Sequence, residues 1–211
     1  DPKRDYLLEY AIYHEDMHTE AFTYTRQTLA YPTPAIGAVP DHLMQGRLEG
    51  DAQIPGGTFM LGATPQDGFV FDNEKWAHAV EVKPFSIARA AVSNGEYASF
   101  VDAGGYQDAQ YWDEPGLAWL KRSGLACPRY WRRTGDRWEM RRFDRWEQLP
   151  PNAAVIHVCW HEARAYCRWA GRRLPTELEW EVAAAGQPDS SGGLSERKRH
   201  YPWGDEPPAP H

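Results

Sequence analysis

Cysteine is scarce in this 211-residue chain. Cys127, Cys159 and Cys167 are an odd number and form no CxxC pair, which excludes a disulfide framework or a cysteine-rich zinc site and fits a reducing cytoplasmic compartment. Long apolar runs are missing: none approaches the ~20 residues of a membrane helix, so no membrane partner is expected. Positive charge is not in excess. With 23 basic against 30 acidic residues the net charge is −7, which argues against a nucleic-acid partner. The opening stretch from Asp1 is polar and has no apolar core of the kind a signal peptide needs.

Tryptophan and arginine are plentiful instead. Ten Trp, 18 Gly and 17 Pro point to a loop-rich fold whose large rings fill the gaps that regular elements leave. From Pro2 to about Ala30 there is neither Gly nor internal Pro. Leu7, Leu8, Ala11, Ile12, Met17, Ala21 and Phe22 recur at spacings of three and four, which predicts one long amphipathic helix ended by Tyr31-Pro-Thr-Pro34. Residues 35–50 read as a linker, and 51–211 as a second unit of different period. Within that unit Ile54–Gly62 and Ala79–Ile87 have strand patterns, and Ser93–Val101 has a helical one. Arg129–Leu149 reads as a hairpin about Thr134-Gly-Asp136, and His161–Ala170 as a helix stopped by Gly171. Thr176-Glu-Leu-Glu179 is a capping box opening another helix, and Pro188–Gly193 reads as a flexible loop. The fold class expected is α+β.

Chemistry concentrates in His14-Glu-Asp-Met-His18 on the long helix. Residues four apart share a helix face about 6 Å apart along the axis, so both imidazoles reach one metal ion without bending the backbone. Glu15, Met17 and Glu20 stand beside the pair as candidates for orienting a ligand or meeting a substrate. The same five residues match H-E-x-x-H, in which Glu15 would be the general base of a zinc protease. That reading needs a cleft from the downstream chain, and the downstream chain is Gly- and Trp-rich.

Past the linker the sequence resembles the formylglycine-generating-enzyme-like (sulfatase-modifying-factor) domain. The resemblance rests on Ile54–Gly62, Asp72-Asn-Glu-Lys75, Val92–Tyr97, His157–Ala163, Ala165–Glu177, Leu178–Glu181 and Tyr201-Pro-Trp-Gly204, seven blocks in order. It implies a C-type-lectin-like, loop-rich α+β domain for 51–211, whose C-terminal half would lie beyond His211 together with the family's catalytic tyrosine. Upstream, the His-x-x-x-His-x-Glu helix of residues 1–34 resembles the last helix of the DinB-like bundle in non-heme iron sulfoxide synthases of the ergothioneine and ovothiol type, including selenoneine synthases. That resemblance implies Fe(II) held by His14, His18 and a third histidine from an earlier helix. It also implies oxidative C–S or C–Se bond formation on the imidazole of hercynine, with dioxygen as oxidant. The donor would be cysteine, γ-glutamylcysteine or a selenosugar. Met17 stands where the ergothioneine enzymes place a Gln, which tilts the expectation towards selenium. A non-catalytic lectin-like binding module is the alternative from another class.

Two clusters read as structural. Seven arginines between Arg129 and Arg145 interleave with Tyr130, Trp131, Trp138, Phe143 and Trp146. Asp136, Glu139, Asp144 and Glu147 interrupt them, so Arg–Trp stacking is expected and a nucleic-acid groove is not. Cys159 and Cys167 fall at core-facing positions and are expected to be buried, unreactive thiols.

Overall fold

A computed structural model describes residues 1–35, 48–65 and 67–207. Most of the expected linker, 36–47, lies outside the described residues. Contacts divide the chain into two compact units that are not consecutive in sequence: Asp1–Glu15 with Glu49–Arg89 and Pro175–His211, and Asp16–Leu48 with Ala90–Leu174. The architecture is mixed α and β, with short helices and small antiparallel sheets, as the α+β expectation required.

Helix α1 spans Pro2–Leu29. It ends where Ala30 takes a left-handed φ of 54° and Pro32 follows; the Arg26 guanidinium closes the end by donating to the Pro32 carbonyl at 2.7 Å. The expected helix forms, but its apolar stripe is not covered by the described residues: Leu8 is 62% and Phe22 69% exposed, whereas Gln27 is 5% exposed.

In the first unit, β1 (Asp51–Ile54) pairs with β4 (Phe85–Ala88), and β2 (Gly57–Leu61) with β3 (His78–Val82). The strand pattern expected over Ala79–Ile87 divides at Lys83-Pro84, because proline cannot donate to a ladder. Pro84 also explains Gly56: a Cβ there would come within 2.7 Å of the proline ring and of the Val82 carbonyl. Phe59, Val82 and Val182 form the core, with Ile54, Leu61, Phe85, Leu178 and Leu194 packed around it. Val182 belongs to α5 (Glu177–Ala185), which opens on the capping box read from sequence: Thr176 Oγ1 accepts from the Glu179 amide, and Glu179 reaches back to the Thr176 amide. Pro188–Gly193, read as a loop, is the turn of a hairpin. Asp189 accepts from the Ser191 and Gly193 amides, both at 2.8 Å, and folds the turn between β8 (Gly186–Pro188) and β9 (Leu194–Lys198).

The second unit is built on rings. Tyr97 of α2 (Asn94–Asp102) stacks on Tyr166 of α4 (Trp160–Trp169) at 5.4 Å and meets Phe100 and Trp131 edge-on. Phe100 and Ala165 are fully buried, and each large ring so buried contributes about 1.5–3 kcal/mol. Helix α3 (Glu114–Ser123) was not anticipated from the sequence; Asp113 caps it and Gly124, at φ 65°, stops it. The expected hairpin is a three-stranded meander of β5 (Trp131–Thr134), β6 (Arg137–Arg142) and β7 (Arg145–Gln148). Arg132 lies 4.1 Å over Trp146, and Arg133 5.3 Å from Trp138, so the Arg–Trp pattern is a ladder of internal stacks as expected.

Candidate metal-ligand helix

The long helix carries His14 and His18 one turn apart, both solvent-exposed. Four residues at about 100° each leave the two rings about 40° apart in phase, on one face. Glu15 is about 100° round the helix from His14, and Glu20 about 200° from His18, so neither carboxylate shares the ligand face. Met17 is 47% exposed next to it. Among the described residues no group of three or more His, Cys, Asp or Glu side chains could hold a metal ion. The imidazole pair has the ligand type and spacing that a non-heme metal would require.

The ring of His14 is stacked on Tyr10 at 5.9 Å with an interplanar angle of 16°. Tyr10 meets Phe71 edge-on at 6.0 Å, while Tyr13 lies 4.8 Å and Tyr6 5.1 Å from Phe69. Three tyrosines at i, i+4 and i+7 therefore seat the start of α1 on the Phe69–Phe71 loop, and Lys75 closes the cluster 4.4 Å over the Tyr6 ring. Towards its other end α1 is held differently. The Gln27 amide donates to the Arg141 carbonyl at 3.0 Å and accepts from the Phe143 amide at 2.7 Å. Neither anchor was visible in the sequence, since each is formed with residues distant along the chain.

The remaining polar clusters have structural partners. Glu162, 2% exposed, accepts from the Tyr106 hydroxyl at 2.5 Å and from the Cys159 amide at 2.7 Å, capping α4. Burial pushes the hydroxyls of Tyr106 and Tyr97 far above the ordinary phenol value. Asp113 caps α3 through the Gly116 amide and pairs with Arg164; the amide bond and the guanidinium hold its carboxyl below the usual range. Burial raises all three thiols. In the first unit an open groove of about 1280 Å³ runs between the 61–78 segment and α5, lined by Trp76, Trp180, Lys75, Arg197 and Tyr201 among others. Glu181 and Lys198 pair across its floor, both also bonded to the Gly62 backbone.

An α+β domain of small sheets preceded by a helix with paired imidazoles is the class so defined. The chain belongs to the sulfatase-modifying factor enzyme 1-like domain family, whose model matches residues 38–211. Among curated relatives, the hercynine oxygenase of Mycolicibacterium thermoresistibile is 44% identical over 151 residues, 71% of this chain and 32% of that protein. The hercynine oxygenase of Mycolicibacterium smegmatis is 35% identical over 200 residues, 94% of this chain and 45% of that protein. The formylglycine-generating enzyme of Streptomyces coelicolor is 36% identical over 190 residues, 84% and 58% respectively. The chain thus spans from about a third to under half the length of the hercynine oxygenases it matches. The family model begins after α1. The M. smegmatis similarity leaves only about 6% of this chain uncovered, fewer residues than the 28 of α1, so it extends into the histidine-bearing helix. Among the described residues no helix is long and apolar enough to cross a membrane.

Proposed function

We propose that this chain forms part of an Fe(II)- and O2-dependent enzyme that joins sulfur or selenium to the imidazole carbon of hercynine. One observation carries the reading: a solvent-facing His14–His18 pair on a helix that the similarity to a hercynine oxygenase includes and the sulfatase-modifying-factor model does not. His14 and His18 supply two imidazoles as ligands, and a residue outside the described ones supplies the third. Iron bound by imidazoles alone would supply redox chemistry and open positions for substrate and dioxygen.

The residues of this chain do the rest by position. Tyr10, stacked on His14, restrains the ring that would otherwise turn about its side-chain bonds. Glu15 and Glu20 lie off the ligand face. Met17, the residue before the second ligand, carries a soft, polarizable thioether, and it is this residue that favours a selenium donor such as a selenosugar over cysteine or γ-glutamylcysteine.

The test is metal analysis and oxygen uptake on the full-length protein. Iron is expected at one per chain and lost in His14→Ala and in His18→Ala. Oxygen uptake is expected only with hercynine and a thiol or selenol donor together, fastest with the selenosugar. Tightly held zinc, or uptake indifferent to hercynine, would refute the reading.

A further inference from the structure

We infer that Gln27 is a positioning residue that sets the rotational phase of the helix carrying His14 and His18. The inference rests on the proposed role of that pair as ligands. Gln27 is the one buried residue among the described side chains of α1, at 5% exposed. Its amide makes the bonds of a strand residue: Nε2 donates to the Arg141 carbonyl and Oε1 accepts from the Phe143 amide. In an extended strand a carbonyl and the amide two residues on point to the same side, which sets the Arg141 carbonyl and the Phe143 amide side by side at the end of β6. Arg141 completes the seat. Its guanidinium donates to the Phe143 carbonyl at 2.7 Å and lies 4.6 Å over Tyr130, whose hydroxyl donates to Thr28 Oγ1 at 3.4 Å.

An amide with both atoms bonded in one plane fixes a helix in rotation as well as in position, which an apolar contact does not. The consequence at the histidines follows from the helical repeat. His18 is nine residues before Gln27 and His14 thirteen, so at 100° per residue their directions lie about 180° and 140° from that of Gln27. The clamp that turns Gln27 towards the β6–β7 turn therefore turns both imidazoles away from it, into the exposed position in which they are found. An imidazole nitrogen stands about 6 Å from the helix axis, so a rotation of about 10° displaces it by about 1 Å, twice the tolerance of about 0.5 Å for a working metal site.

The experiment compares Gln27→Met, which keeps length but loses both bonds, Gln27→Glu, which keeps the acceptor towards Phe143 and loses the donor, and Thr25→Val, at an exposed position of the same helix, as a control. Anaerobic Fe(II) affinity of the full-length protein is read by competition, the paramagnetic resonance spectrum of Cu(II) bound in its place reports ligand geometry, and thermal unfolding reports stability. Fe(II) affinity is expected to fall about 10- to 100-fold in Gln27→Met, the range for residues that orient ligands, by less in Gln27→Glu, and to stay within about twofold in Thr25→Val. The Cu(II) spectrum is expected to change in the two Gln27 variants only. A lowered melting temperature with wild-type affinity and spectrum would overturn the inference; should Gln27→Met fail to fold, Gln27→Glu decides it on the same readouts. Full metal binding in both His14→Ala and His18→Ala would refute the ligand reading itself, a result separable from the first because it does not involve Gln27.

Discussion

Replacing Tyr106 with Phe removes one hydroxyl and leaves the ring where it packs, edge-on to Trp112 at 5.5 Å. The hydroxyl is the donor to Glu162 Oε1, and Glu162 is 2% exposed, so water cannot take its place without opening the core. A hydrogen bond to a charged group contributes about 1.5–3 kcal/mol. At about 2–4 °C per kcal/mol for a chain of this size, the melting temperature should fall by about 3–12 °C. Tyr97→Phe is the internal comparison: its hydroxyl meets only that of Tyr106, at 3.3 Å, a neutral bond contributing about 0.5–1.5 kcal/mol. The difference has a pH signature. Burial raises the Tyr106 hydroxyl above the 10.0 of an exposed tyrosine, so above that pH the unfolded chain releases a proton that the folded chain keeps. Stability from this group is therefore complete below pH 10 and declines above it, by up to about 1.4 kcal/mol per pH unit. The wild type should lose its advantage over Tyr106→Phe as pH rises past 10. Calorimetric or fluorescence-detected unfolding at pH 8 and at pH 10.5 measures both effects; equal melting temperatures for the two variants at pH 8, or a gap that widens with pH, would refute the argument.

Other expected outcomes follow from the same contacts. Asp113→Asn should flatten the acid limb of the stability curve: a carboxyl held below its ordinary value of 3.8 stabilises the fold above that pH and loses this contribution as pH falls, so an unchanged acid midpoint would count against the Asp113 cap. Iodoacetamide at pH 8 should alkylate Cys167 only on unfolding, since burial raises its thiol; mass spectrometry of the native protein showing rapid labelling would contradict this. Gly105→Ala places a Cβ 2.1 Å from the Phe100 ring and should destabilise by about 1–3 kcal/mol through overpacking, with urea unfolding as the measurement and a neutral result as its refutation.

Much of this architecture was legible wherever a local rule and the final packing agreed. The Thr176–Glu179 capping box opens its helix as a string of residues suggests, because both bonds of such a box lie within four residues. The Arg–Trp stacks of the meander were likewise foreseeable from alternation alone. Legibility failed where the decisive contact is distant in sequence or where a turn residue was undervalued. Asp189 accepts the amides that close a segment read as a loop, and Asp113 begins a helix whose first turn holds Pro115 and Gly116, residues that by themselves signal a turn. For the candidate site the division is the same: the spacing of His14 and His18 is written in five residues, whereas the direction in which they point is decided by Gln27 against Arg141 and Phe143, more than a hundred residues away.

That direction ties the helix to the proposed chemistry. Covered against the described domain, the two imidazoles would be packed groups whose lone pairs must be satisfied internally. Turned outward, they remain accessible to a metal and to further donors. Leu8, Ile12, Met17 and Phe22 are between 47% and 69% exposed on α1 as well, apolar area that a stable helix normally buries. They lie about 100°, 60°, 80° and 140° from the Gln27 direction and on both sides of it, so the phase set at Gln27 accounts for the direction of the imidazoles and not for these exposures. A substitution that shifts the phase should therefore disturb metal geometry, while one that only loosens packing along α1 should leave it unchanged.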